Sequence, residues 1–187
     1  MAGARPTLVF NWHAQPMKKM FLVIALVLAV LAIYHVWTGF ATPPRANTGA
    51  SCDMSLWAHV YRGRFASAED RLQVINPCLT VTGTIMKARA ERDGDWHIQL
   101  DLDDDYRSLL NQANLEEQQG YLVLEPMCSN YVSQTDTIEE GVCEGFSQNI
   151  FAKDLIGQRV AATGAYIIDM QHGWTELHPV TSIVPIN

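Results

Sequence analysis

Six side chains gathered near two turns of the sequence have the chemistry to act together. Asp95 and His97 follow the Asp93-Gly94 pair, and Asp169, His172, Glu176 and His178 surround the last turn. On an extended strand Trp174, Glu176 and His178 share a face, because strand side chains alternate with a period of two. Imidazole combined with carboxylate is the donor set for zinc, manganese or ferrous iron. A divalent metal held there would acidify a bound water into a hydrolytic nucleophile. The candidate metal set is His97, Asp169, His172, Glu176 and His178. The same groups can instead hydrogen-bond one another and the backbone to close the sheet, with Trp174 as packing, or hold an organic ligand. No H-E-x-x-H spacing selects the metal reading.

A second set is cationic. Lys87, Arg89 and Arg92 flank the Asp93-Gly94 turn. With Trp174, Trp96 and Tyr166 they compose the basic and aromatic face that single-stranded nucleic acid requires. Glu91, Asp93 and Asp95 interleave and cancel that charge, and Trp96 and Tyr166 fall on inward strand positions, which favours packing. Lys87, Arg89, Arg92 and Trp174 therefore stand as a ligand-facing set with no commitment to nucleic acid. Asp101, Asp103, Asp104 and Asp105 offer oxygen ligands for calcium but lack the EF-hand spacing, and read better as a solvated strand end. There is no G-x-S-x-G and no Gly-rich phosphate loop. The cofactor expectation is none beyond that divalent metal.

The 187-residue chain carries 13 basic and 20 acidic groups, and the first forty residues hold three of the basic groups and no acid. The remainder is therefore ten basic against twenty acidic. An acidic body repels phosphate, which disfavours nucleic acid as a partner. A hydrophobic content of 48% is ample for a core.

Phe21 to Trp37 reads FLVIALVLAVLAIYHVW and lies in a stretch without charge from Met20 to Pro44. At 1.5 Å per residue such a run nearly crosses a hydrocarbon layer of roughly 30 Å. Lys18 and Lys19 before it put the N-terminus in the cytoplasm and the rest outside. A cleaved signal peptide starting at Met17 is the competing reading, and it gives a secreted domain. Either way the body faces the periplasm or the cell exterior. The expected organisation is a cytoplasmic N-terminus (1–19), a transmembrane helix (20–40), a Pro-, Gly- and Thr-containing linker (41–50), a helical lead-in (51–78) and a β domain (79–187). Export makes Cys52, Cys78, Cys128 and Cys143, which show no C-x-x-C spacing, candidates for two disulfides. Of three connectivities, Cys52 with Cys78 and Cys128 with Cys143 is preferred.

These chemical groups need strands to hold them. Leu79, Val81, Gly83 and Ile85 alternate with Thr80, Thr82, Thr84 and Met86. A hairpin at Asp93-Gly94 returns a strand with Trp96, Ile98, Leu100 and Leu102 on one face and His97 and Gln99 on the other. Leu56 to Phe65 and a segment opening at Ser67 read as short helices. So does Tyr106 to Gln119. Tyr121 to Leu124, Val160 to Asp169 and Trp174 to Val184 complete five strands. That pattern, with Gly83 and Gly164 inside strands one and four, matches a five-stranded Greek-key OB-fold barrel with short helices, preceded by the membrane helix.

On RLQVINPCLTVTGTI, DGDWHIQL, YLVLEPMC, Cys143 and GQRVAATGAYIIDMQHGWTELHPV, the segment from Arg71 to Val184 resembles a group of exported or membrane-anchored bacterial OB-fold proteins of largely uncharacterised function. Their grouping motifs stand here as DGDWHI and HGWTELHP. The expectation is a membrane-tethered extracytoplasmic binding or accessory module, not an enzyme. The rivals are a metal-dependent, nuclease-like hydrolase using the His, Asp and Glu cluster, and a structural subunit docked to an envelope protein partner.

Overall fold

The computed structural model describes residues 51–60 and 71–187. The chain divides at Ala41/Thr42, and every described residue belongs to the second unit. The expected membrane helix, the linker and the short helix opening at Ser67 lie outside the described residues. Among the described residues, no helix is long and apolar enough to cross a membrane.

The protein is mainly β. Five strands, β1 (Leu72–Ala90), β2 (Trp96–Leu102), β3 (Leu122–Leu124), β4 (Arg159–Asp169) and β5 (Thr175–Pro185), form one sheet. It closes as a barrel in the order β1-β2-β3-β5-β4. All neighbours are antiparallel except β3 and β5, which run parallel. β1 is long enough to serve two partners: its first part pairs with β4, its last with β2, and Gly83 sits opposite both Leu102 and Val160. A side chain there is excluded, since a Cβ on Gly83 would lie 2.3 Å from the Asp101 carbonyl oxygen. Gly164 is confined in the same way, 2.6 Å from the Pro179 carbonyl, and the β4–β5 register shifts beside it. Both glycines let the sheet coil where backbones nearly touch.

β1 begins at Leu72, earlier than the alternation from Leu79 suggests. Register shifts between Val74 and Asn76 and between Asn76 and Leu79 break the period there and hide the strand from a pattern reading. The helix expected over Tyr106–Gln119 is split. A 3-10 turn (Asp104–Leu109) gives way to extended backbone at Leu110, and a new helix follows after Asn111. Asn111 caps it reciprocally: its side chain accepts from Asn114 N at 3.1 Å, and Asn114 Oδ1 accepts from Asn111 N at 3.2 Å. Among the described residues the α-helices are α1 (Trp57–Val60), α2 (Gln112–Glu117) and α3 (Thr135–Glu139).

Val81, Ile85, Ile98, Leu100, Leu122 and Leu177 are fully buried inside the barrel. Each such side chain stabilises the fold by about 1.5–3 kcal/mol through the apolar surface it removes from water. Outside, Leu56, Val60, Leu72, Met127 and Ile167 form a second apolar cluster where α1 covers β4. The disulfides Cys52–Cys78 and Cys128–Cys143 form. Two disulfides with no free cysteine among the described residues fit an oxidising, extracytoplasmic environment.

Candidate functional site

β2, β3 and β5 place the polar groups by register alone. On β2 the inward set is Trp96, Ile98, Leu100 and Leu102, so His97 and Gln99 face outward. β3 pairs Leu124 with Ile98 on one side and Leu177 on the other. One residue further, Glu125 therefore comes opposite His97 across the antiparallel pair and beside His178 across the parallel one. Its amide continues the pairing, donating to Leu177 O at 3.0 Å. The contacts follow: Glu125 Oε1 is 3.3 Å from His97 Nδ1, and Glu125 Oε2 is 2.9 Å from His178 Nδ1. Alternation on β5 adds Glu176, whose Oε2 accepts Trp174 Nε1–H at 2.8 Å and whose Oε1 lies 3.3 Å from His178 Nδ1.

This network is largely buried, and the contacts among its members compete with burial to set its charges. Desolvation works against ionising Glu125, yet the hydrogen bonds and charges of His178 and His97 prevail and lower its pKa. Burial and the Glu125 charge together raise that of Glu176. Desolvation also opposes charging of His178, but two carboxylates at its Nδ1 hold its pKa well above the ordinary imidazole value. His97 is likewise raised, because Glu125 outweighs its burial. Its Nε2 is 3.0 Å from Gln118 Oε1, which also accepts Gln99 Nε2–H at 3.1 Å. Gln118 thus favours a donor at Nε2 while Glu125 favours one at Nδ1, and the imidazolium satisfies both.

A second network lies at the β4–β5 turn. Asp169, 1% exposed, accepts from Arg71 Nε at 3.1 and 3.0 Å, from Gln171 N at 2.8 Å and from His172 Nδ1 at 3.0 Å. Burial pushes this carboxyl up, but Arg71 more than offsets it and the pKa is lowered. Trp174 joins the two networks, stacked on His172 at 4.3 Å and edge-on to His97 at 6.0 Å.

Over β2 opens a groove of about 730 Å³, with His97, Gln99 and Glu125 in its floor and Lys87 and Arg89 on its β1 rim. Gln118 and Gln119, beyond α2, form the opposite wall, and Gln171, His172 and Trp174 close one end. That wall is fastened to β5, because buried Asn114 donates to Thr175 O and accepts from Thr175 N, both at 2.9 Å. A smaller cavity of about 50 Å³ lies behind the floor, bordered by Asp95, Glu125 and His178. Asp95 is pinned by Cys128 N, which donates to its Oδ1 at 2.7 Å. Burial and neighbouring Asp93 push the Asp95 carboxyl up to about 8.

The residues singled out in the sequence are thus divided. His97, Glu176 and His178 share one network, Asp169 and His172 another. Lys87, Arg89, His97, His172 and Trp174 line the groove. Arg92 does not line it, and its carbonyl accepts from Ser133 N and Gln134 N, both at 2.8 Å. The acidic run meets arginines: Arg107 donates to Asp101 and Asp104, each at 3.1 Å, and Arg159 to Asp103 at 2.6 Å. Sequence reasoning missed Glu125, Arg71 and Gln118. Only Glu125 had a signal, its place two residues after Val123 on the strand YLVL. No protein-family model matches the chain, and no curated protein matches it.

Proposed function

We propose that this chain is an extracytoplasmic OB-fold binding module, tethered to the membrane by its apolar N-terminal segment, and that it takes a neutral, polyhydroxylated ligand such as an oligosaccharide. The strand order, with β3 and β5 parallel, supports the OB-fold reading. The observation that carries the functional reading is the groove of about 730 Å³ on the outer face of β2, flanked by the β1–β2 and β4–β5 turns. These are the loops with which OB-folds hold oligonucleotides and oligosaccharides.

Charge chooses between those two ligands. Arg71, Lys87 and Arg89 are matched in the lining by Glu91, Asp93, Glu117 and Glu125, so a polyanion gains nothing on entry. Amide side chains supply both donors and acceptors, which is what hydroxyl groups require. The test is titration of the full chain in detergent with cell-envelope oligosaccharides, beside single-stranded DNA, followed by calorimetry. Saccharide binding that Gln99→Ala and Lys87→Ala weaken supports the reading. DNA binding with a steep salt dependence, or no saccharide binding at millimolar concentration, overturns it.

A further inference from the structure

Glu176 carries an oxygen with a single, long hydrogen-bond contact. Its side chain is fully buried, and Oε2 is occupied by the Trp174 indole N–H at 2.8 Å. Oε1 has one hydrogen-bond contact among the described residues, His178 Nδ1 at 3.3 Å. That nitrogen has a single proton, and Glu125 Oε2 lies closer to it at 2.9 Å. One N–H cannot serve two carboxylates well, and leaving a buried acceptor under-satisfied is costly.

We propose that Glu125, Glu176 and His178 form a binding site for a divalent transition metal, with zinc(II) the best match, at the back of the groove floor and sharing Glu125 with it. One ligand atom from each residue lies within 4.8 Å of the other two. In a tetrahedral zinc site with bonds of about 2.0–2.1 Å, neighbouring ligand atoms stand roughly 3.3 Å apart. The contacts at His178 Nδ1 are 2.9 and 3.3 Å, so two edges of that tetrahedron are already near length. The third edge, between the two carboxylates, lies within 4.8 Å.

The surroundings are those of a built metal site. One imidazole and two carboxylates suit zinc better than calcium or magnesium, which prefer all-oxygen shells. The Trp174 indole holds Glu176 and His97 holds Glu125 Oε1, the kind of outer contact that orients metal ligands. The small cavity of about 50 Å³ bordered by Glu125 and His178 has room for a water as fourth ligand. On binding, the His178 Nδ1 proton leaves to solvent and the ring keeps its proton on Nε2. Of the five residues that the sequence marked for metal, only Glu176 and His178 take part, and Glu125 completes the set.

The test uses the full chain in detergent, purified without a polyhistidine tag and stripped with a chelator. Zinc is titrated in competition with a chromophoric chelator, and cobalt(II) in parallel. One zinc per chain is expected, with a cobalt spectrum of four-coordinate intensity. Glu176→Gln, which keeps the volume and the Trp174 bond, should weaken zinc about 100-fold or more, and Glu125→Gln similarly. The exposed pair Asp104→Asn/Asp105→Asn should leave it unchanged. Failure of the wild-type chain to hold zinc at micromolar concentration overturns the proposal, whatever the variants do. So does zinc binding that survives Glu176→Gln undiminished, or that disappears in the Asp104/Asp105 pair.

Discussion

Two ionic networks meet at Trp174 and are balanced in opposite ways. At the β4–β5 turn, buried Asp169 faces Arg71, a cation at every accessible pH. At the groove floor and just behind it, Glu125 faces His97 and His178 and shares His178 with Glu176, and the charge of both histidines depends on protons. A fixed cation makes the first network a structural clamp between the ends of β1 and β4. Titratable cations leave the second open to exchange, of a proton or, as proposed above, of a metal. A polar cluster that looks like one unit in sequence thus holds two devices with different jobs.

Removing the fixed cation should break the contrast most severely. Arg71→Met leaves Asp169 buried without a permanent partner, and a loss of about 3–5 kcal/mol is expected by urea unfolding at neutral pH. The loss should shrink in acid as Asp169 gains a proton, and Arg71→Met/Asp169→Asn should recover part of it. A variant as stable as the parent would mean that the clamp contributes nothing.

The cavity bordered by Asp95 and His178 should show itself in pH. In metal-free protein Asp95 keeps its proton up to about 8, whereas an unfolded aspartate loses it near pH 4. Over that interval the native state binds the extra proton, so stability falls as pH rises and levels off above the native pKa. Raised His178 acts in the same direction, its contribution being lost as pH climbs through its native pKa. Asp95→Asn retains an acceptor for Cys128 N and should flatten the decline, adding of the order of 1–2 kcal/mol at pH 8. Urea midpoints across pH 5 to 9 for both proteins read the effect, and parallel curves would exclude Asp95 as its source.

A smaller change comes from His172→Ala. Asp169 keeps Arg71 and two backbone donors, so less than about 1 kcal/mol is expected in thermal unfolding. Saccharide affinity should fall more visibly, because the ring lines the groove. Smallest of all is Arg89→Ala. Arg89 is exposed and its partner Glu91, at 2.6 Å, half-buried, so stability should move by at most about 1 kcal/mol, with the groove ligand again the more sensitive readout.

Much of the fold was legible in local patterns. Alternation placed Leu79, Val81 and Ile85 inward on β1, and Ile98, Leu100 and Leu102 inward on β2. It also set Trp174, Glu176 and His178 on one face of β5, since a strand's period is a property of its own residues. The early part of β1 is obscured because its register shifts destroy the period, and the segment Tyr106–Gln119 hides a break because Asn111 restarts the helix with a cap.

Sequence by itself thus determined the strand faces, the acidic body, the cysteine chemistry and which residues of each segment could carry charge. Only the tertiary structure decided which charges meet. Glu125 stands between His97 and His178 because β3 is registered antiparallel to β2 and parallel to β5 at once, and no spacing along the chain encodes two simultaneous pairings. Arg71 reaches Asp169, 98 residues away, for the same reason: closing the barrel sets the end of β4 beside the start of β1. Local periodicity aims a side chain, and sheet closure supplies its partner.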